Sequence, residues 1–281
     1  MKILIVGAQG MLGQELAKVF ADYDLTLWDK TQLDITDSEM VEARLTELKP
    51  DLVINSAAYN DVDACEEKFD IAKAINFHGP VNLAKTCQKI GAKVVHYSTD
   101  YVFRGDKKEG YPETYTPEPV SKYGASKLLG ERVLENCDQC YVMRTSRLFG
   151  LPASSEGAKR SFIDVMITLA ETRDEIDVVS EEYSNPTYVV DLATQTKVLV
   201  DGDFGSGIYH GINEGACTWY EFAEEIFSQV GKEIKLNPVP ASKFPRPAKR
   251  PDYSSLINTK LPKLRTWQDA ISAYLIQKNQ G

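Results

Sequence analysis

The chain has 281 residues, of which 43% are apolar, enough for a sizeable core in one large α/β domain or a domain with a lobe. Its 41 acidic residues outnumber 32 lysines and arginines, and a net charge of −9 argues against a nucleic-acid-binding surface. No window approaches ~18 uninterrupted apolar residues, so no membrane span is expected; His78, His96 and His210 are scattered without ligand spacing, so no metal centre is expected either.

The N-terminus reads as a buried strand rather than a signal peptide. Residues 3–6 are four apolar residues in a row, which suits a strand covered on both faces of a parallel sheet. Gly7 ends that strand, and Gly7, Gly10 and Gly13 follow at a spacing one residue away from the dinucleotide fingerprint. Such a turn allows close approach of a pyrophosphate, and the helix predicted over 11–20 would present its backbone N–H groups to it. The second strand, 25–28, ends on Asp29-Lys30. The acid can accept from ribose hydroxyls and the cation can meet a 2′-phosphate, so NADH and NADPH are not separated. Thr36 or Asp37 can cap a helix over 38–48, and Asp34 reads on its own as a loop acid.

The βα rhythm continues. Strand 51–55 runs into Ser56-Ala57-Ala58-Tyr59, small residues at a strand's carboxyl end, where ligands bind in open α/β sheets. A long helix is predicted over 69–90. Strand 93–97 leads into Ser98-Thr99-Asp100, a helix over 121–136 carries Tyr123 and Lys127, and strand 139–143 precedes Arg144-Thr-Ser-Arg147. The expectation is a Rossmann-like, doubly wound parallel sheet with a smaller C-terminal substrate-binding lobe. The sheet domain would take residues 1–148 and 182–204, and the lobe 149–181 and 205–281. Cys137-Asp-Gln-Cys140 is a lone C-x-x-C without a partner motif and reads as chance spacing; the five thiols read as reduced and cytoplasmic.

Tyr123 and Lys127 lie one helical turn apart on one face. A free tyrosine is a poor acid at neutral pH, and a neighbouring ammonium is expected to lower its pKa. Tyr123 could then give a proton to a ketone oxygen, with a hydroxyl of Thr99 or Ser98 holding that oxygen. With the glycine turn upstream, this constellation points to carbonyl/alcohol redox chemistry. The cationic stretch from Lys243 to Arg250 reads either as a solvated proline-rich loop or as a site for a substrate anion.

At these residues the chain resembles the extended short-chain dehydrogenase/reductases, and more closely the dTDP-4-dehydrorhamnose reductase family. The likeness runs nearly full length. It covers the glycine turn, Leu33-Asp-Ile-Thr, Asn55-Ser-Ala-Ala-Tyr, Tyr97-Ser-Thr-Asp-Tyr-Val-Phe103, Tyr123-Gly-x-x-Lys127 and Phe244-Pro-Arg-Pro-Ala-Lys-Arg-Pro251. The resemblance implies reduction of the 4-ketone of a dTDP-6-deoxy-L-sugar by NADP(H), with NAD(H) as the alternative cofactor. It implies Thr99, Tyr123 and Lys127 as the catalytic set, Asp100 as a sugar contact, and Gly10, Met11, Leu12, Asp34, Ile35, Ala57, Ala58 and Tyr59 along the cofactor, with Tyr123 and Lys127 beside its nicotinamide ribose. Arg147 stands where the family usually carries tryptophan. It is expected to meet the substrate diphosphate together with Arg250, or else Glu181 or Glu182. Partners are then a small nucleotide-sugar and, as an option, a second copy in a homodimer. A reductase or epimerase for another nucleotide-sugar, or a non-catalytic NADP-binding regulatory subunit, are the alternatives.

Overall fold

The computed structural model describes residues 1–154 and 160–280. Strand β1 (Lys2–Val6) enters the glycine turn and helix α1 (Met11–Val19); β2 (Asp24–Trp28), α2 (Ser38–Leu48) and β3 (Leu52–Asn55) follow. A short α3 (Ala64–Glu67) leads to α4 (Phe69–Lys73), a π turn (Ala74–His78), α5 (Gly79–Ile90) and β4 (Lys93–Thr99). Beyond β5 (Tyr111–Pro112), α6 (Lys122–Gly130) carries the Tyr/Lys pair and β6 (Cys140–Thr145) follows. Asp37 caps α2, accepting from the amides of Glu39 (3.1 Å) and Met40 (3.0 Å). The helix expected over 121–136 ends its α part at Gly130 and finishes as a 3₁₀ helix (Glu131–Glu135).

After β7 (Leu148–Phe149) come α7 (Phe162–Leu169), β8 (Glu175–Val179), β9 (Tyr183–Ser184), β10 (Thr187–Tyr188) and α8 (Val189–Asp201). The chain finishes with β11 (Gly207–His210), β12 (Cys217–Thr218), α9 (Trp219–Val230), β13 (Lys235–Val239), β14 (Leu256–Ile257) and α10 (Trp267–Gln280).

Six strands form one parallel sheet in the order β11-β6-β4-β3-β1-β2. Alternate residues face opposite sides. Ile3, Ile5, Leu52, Ile54, Val95 and Met143 join one core, with α1, α8 and α10; Leu4, Val6, Val53, Val94 and Val142 join the other, with α2 and α5. This two-sided burial explains the near-continuous apolar runs. The chain leaves β1 for β2 on one side and returns to β3 on the other, so the carboxyl ends of β1 and β3 form the switch point where a ligand crevice opens.

The paired strands β8 and β13 carry α7 and α9 on a separate small core of Met166, Ala170, Ile176, Val178, Ala223 and Phe227. The sequence-based boundary of the lobe needs correction in two places. Gly207–His210 is the edge strand of the main sheet, paired with β6, because its apolar face continues the sheet's packing. Trp267, Ala270, Ile271 and Tyr274 of α10 are buried in the main core beside Phe149 and Leu16. Residues 155–159 of the expected lobe lie outside the described residues.

Candidate active site

A cleft of about 980 Å³ opens at the switch point, lined by Gly7, Gly10, Met11, Asp29, Lys30, Leu33, Asp34, Ile35, Thr36, Ser56 to Asp61 and the face of the helix around Ala74. Gly7 sits at φ 76°, and a Cβ there would lie 2.7 Å from the Ala57 nitrogen, so only glycine lets the two strand ends meet. A Cβ at Gly13 would lie 2.2 Å from the Gly7 carbonyl. Gly10, by contrast, is approached only by the Gly7 carbonyl, at 3.2 Å, and starts α1 without any side-chain cap. The first-turn amides of α1 are therefore free to meet an anion, which fits a dinucleotide pyrophosphate.

Asp29 turns toward the glycine loop, and both its oxygens accept from the Gln9 amide at 3.2 Å. Lys30 is 81% exposed at its side chain and 4.0 Å from Asp34, whose own Oδ1 accepts from the Thr36 amide and hydroxyl and holds that carboxyl below its usual range. Ile35 is buried against Gly79.

A second pocket of about 340 Å³ shares Gly10, Met11, Ser56, Ala58 and Asn60 with the cleft and adds Leu12, Gly13, Tyr97, Ser98, Thr99, Tyr123, Lys127, Thr145, Ser146, Arg147 and Leu148. The end of β4 delivers Thr99, and α6 delivers Tyr123 and Lys127. Ser121 caps α6 by accepting from the Gly124 amide at 3.2 Å. Gly124 and Gly130 let the helix lie against the Tyr101 and Asn76 carbonyls, each 2.2 Å from where a Cβ would stand. The Tyr123 phenol lies 3.5 Å from Asn60 Oδ1 and within reach of the Thr99 hydroxyl, with the Tyr101 ring edge-on at 5.9 Å.

Lys127 does not lower the Tyr123 pKa as the spacing alone suggested. Its Nζ donates to the Tyr97 carbonyl at 2.7 Å, and burial lowers the ammonium's pKa to about 8, against a smaller opposing effect of Glu131. Burial pushes the Tyr123 phenol above its ordinary value, and the Asp100 charge adds to that rise. Desolvation of both groups outweighs what one helical turn of proximity provides. Ser98 is likewise unavailable to a substrate, because its hydroxyl donates to Glu131 Oε1 at 2.6 Å.

Asp100 is only 2% exposed and lines neither pocket. Arg147, at φ 40°, donates from Nη1 to the Cys217 carbonyl (2.9 Å) and from Nη2 to the Glu182 carbonyl (2.5 Å), and its guanidinium lies 3.9 Å from the centre of the Trp219 ring. Of the partners expected for it, Glu182 is the residue met, through its backbone rather than its carboxylate; that carboxylate takes Arg246 and the Trp219 indole N–H (3.2 Å). Arg250 lines neither pocket: it grips Asp63 in a bidentate pair (Nη2 to Oδ2, 2.7 Å), which holds the Asp63 carboxyl down at about 2.

The family model described as the RmlD substrate binding domain matches residues 1–279. The chain belongs to this family. It is 36% identical to the spore coat polysaccharide biosynthesis protein SpsK of Bacillus subtilis, covering 100% of this chain and 99% of that protein. It is 36% identical to the dTDP-4-dehydrorhamnose reductase of Mycobacterium tuberculosis, covering 98% and 92%. The crystal structure of the Bacillus anthracis dTDP-4-dehydrorhamnose reductase in complex with NADP superposes with a TM-score of 0.92 at 37% identity, covering 98% of this chain and 99% of that one.

In this RmlD-family chain, two supports of the site escaped sequence reasoning. Asn76, fully buried in the π turn, accepts from the Tyr59 amide (2.8 Å) and donates to the Tyr59 carbonyl and the Ser126 hydroxyl (both 3.0 Å). It ties the cofactor-cleft loop to the helix bearing Tyr123. Glu131 accepts from Ser98 and forks onto Arg144 (2.8 and 2.6 Å), which is 1% exposed. A break in the apolar helical period at Asn76 is the sole sequence signal for the first; Glu131 reads as one more surface acid.

Proposed function

We propose that this protein reduces the 4-ketone of dTDP-4-dehydrorhamnose to the alcohol, with NADP(H) as the cofactor. The observation that carries this reading is the gathering of Thr99, Tyr123 and Lys127 in a pocket that shares a wall with the glycine-turn cleft. A reduced nicotinamide bound in the cleft supplies the hydride that the ketone carbon accepts. Tyr123 would give its phenolic proton to the ketone oxygen as the hydride reaches carbon; burial keeps that phenol protonated in the ligand-free protein. Lys127, whose Nζ donates to the Tyr97 carbonyl, would hold the nicotinamide ribose.

Preference for NADP(H) is argued from the end of β2. The Asp29 carboxylate accepts the Gln9 amide and faces the cleft, and the exposed Lys30 beside it can meet a 2′-phosphate. The names of the relatives support the sugar. No described helix is long and apolar enough to cross a membrane, and five free thiols fit a reducing cytoplasm.

The test is the purified protein mixed with NADPH and dTDP-4-dehydrorhamnose. Loss of nicotinamide absorbance with formation of dTDP-L-rhamnose is expected. Turnover of a different 4-keto nucleotide-sugar instead would overturn the sugar but keep the chemistry. Failure with every such ketone would overturn the reductase reading.

A further inference from the structure

A buried polar atom without a partner is costly, and a folded chain keeps few of them. Among the described residues seven buried side-chain atoms have no hydrogen-bond partner. Of these, Thr145 Oγ1 alone belongs to a residue that lines either pocket described above. Thr145 is 6% exposed and is the last residue of β6. It pairs in register with Thr99 at the end of β4, one strand spacing away, or about 4.8 Å. The proton transfer proposed for Tyr123 makes no use of it.

The side it faces follows from the pleat. Tyr97 and Met143, two residues upstream on the two strands, belong to the core that α1 joins. A period of two puts Thr99 and Thr145 on that same side, whereas the side chains of Ser98 and Arg144 turn to Glu131 on the other. Leu12 and Gly13 of α1 line the same pocket as Thr145, and the free first-turn amides of that helix fit a pyrophosphate. A dinucleotide seated there reaches Thr145 with its nicotinamide end. The polar group on that ring is a carboxamide, an NH₂ donor beside a carbonyl acceptor, and a threonine hydroxyl pairs with either. We propose that Thr145 is a cofactor-binding residue whose hydroxyl holds the nicotinamide carboxamide. The staggered χ1 wells let that hydroxyl turn to the ligand without movement of the backbone. Thr145 then fixes the ring beside Thr99, where the ketone oxygen is expected.

This inference rests on the reading that the glycine-turn cleft takes a nicotinamide cofactor, and its test has an arm that needs no turnover. Thr145→Val keeps the shape of the side chain and removes the hydroxyl. The melting temperature of the ligand-free variant should equal or exceed that of wild type, because the deleted group has no partner to lose. Its Kd for NADPH, read by nicotinamide fluorescence, should rise about 3- to 10-fold. Its Kd for 2′-phospho-ADP-ribose, which carries the same pyrophosphate and no nicotinamide, should stay within about twofold. Thr145→Ser keeps the hydroxyl and should bind NADPH as wild type does. In turnover, Thr145→Val should lower kcat about tenfold with the sugar KM changed less than about twofold. Wild-type NADPH affinity in Thr145→Val, or an equal loss of affinity for 2′-phospho-ADP-ribose, would overturn the proposal. Weaker binding of dTDP-L-rhamnose with NADPH affinity intact would also overturn it and make Thr145 a sugar contact. Should Thr145→Val fail to fold, Thr145→Ala set against Thr145→Ser gives the same comparison. A wild type that binds NADPH but reduces no 4-keto sugar counts against the proposed function and leaves the binding arm to decide this one.

Discussion

Lys127 and Tyr123 are adjacent in the helix but answer to different neighbours, and that separation governs what their substitution does. Tyr123→Phe removes the proposed proton donor while leaving the ring packed against Tyr101. It should lower kcat by about 10²–10⁴ with NADPH affinity retained, as steady-state kinetics and cofactor titration will show. Lys127→Met should also abolish activity, yet it should not destabilise the ligand-free fold at pH 7. The folded pKa of about 8 lies below the ordinary 10.5. Between those values the unfolded chain holds a proton that the folded chain has released, so wild-type stability should rise with pH across that window. Below about pH 8 the buried ammonium is a constant penalty, and methionine removes it. Melting temperatures of both proteins from pH 7 to 9.5 test this: the wild type should gain on the variant as pH rises. The Tyr/Lys spacing was legible because the two residues share one helix. The turning of Lys127 to the Tyr97 carbonyl was not, because that acceptor lies 30 positions away.

At the scale of elements, the three glycines of the first turn do different jobs. Gly10→Val should leave the fold intact and abolish cofactor binding, since the space around its Cβ is the cleft itself; unchanged NADPH affinity in a folded variant would remove the argument. Gly13→Ala should instead destabilise the protein, because its methyl would meet the Gly7 carbonyl and the Ala8 backbone, and α1 would have to leave β1. Thermal melts of the two, with and without NADPH, separate the roles. The other element-scale device is the buried fork between Glu131, just past α6, and Arg144 on β6. Removing one partner strands the other charge without water, so Glu131→Ala should cost about 3–5 kcal/mol in chemical denaturation. It should also slacken the Ser98 hydroxyl beside Thr99. Strand and helix positions were legible from apolar periodicity, and the Asp37 cap from its residue type. The π turn and this ion pair were not: Asn76 in the π turn is tied to Tyr59 and Ser126, and Glu131 to Arg144, on segments that meet only after folding.

Across the whole molecule, the proline-rich segment of residues 244–251 is held beside α3 by Asp63, which takes Arg250 and the Ala248 amide (3.1 Å), and to the turn before β9 by Arg246 on Glu182. With the Asp63 carboxyl held at about 2, the clasp stays charged through the whole range in which the enzyme can be assayed. Asp63→Ala should therefore loosen the segment at any working pH. Cleavage by trypsin after the exposed Lys249 should quicken several-fold relative to wild type, while the global melting temperature changes little. Equal cleavage rates would show that the segment is held by its prolines instead.

The order of strands and helices, the glycine turn after β1 and the Tyr123/Lys127 pair are legible in the sequence alone. Each is a local pattern: apolar runs, glycines at fixed spacing, two side chains one helical turn apart. The reaction class follows from those patterns without any contact between distant segments. Only the tertiary structure decided which groups are free to act. It gave Arg147 to two backbone carbonyls and Trp219, Arg250 to Asp63, Ser98 to Glu131 and the Thr99 proton to Asp100. It also moved residues 207–210 from the lobe to the sheet edge. Hydrogen-bond partners and desolvation depend on which surfaces close over a residue, and in this chain those surfaces come from segments up to 187 positions apart.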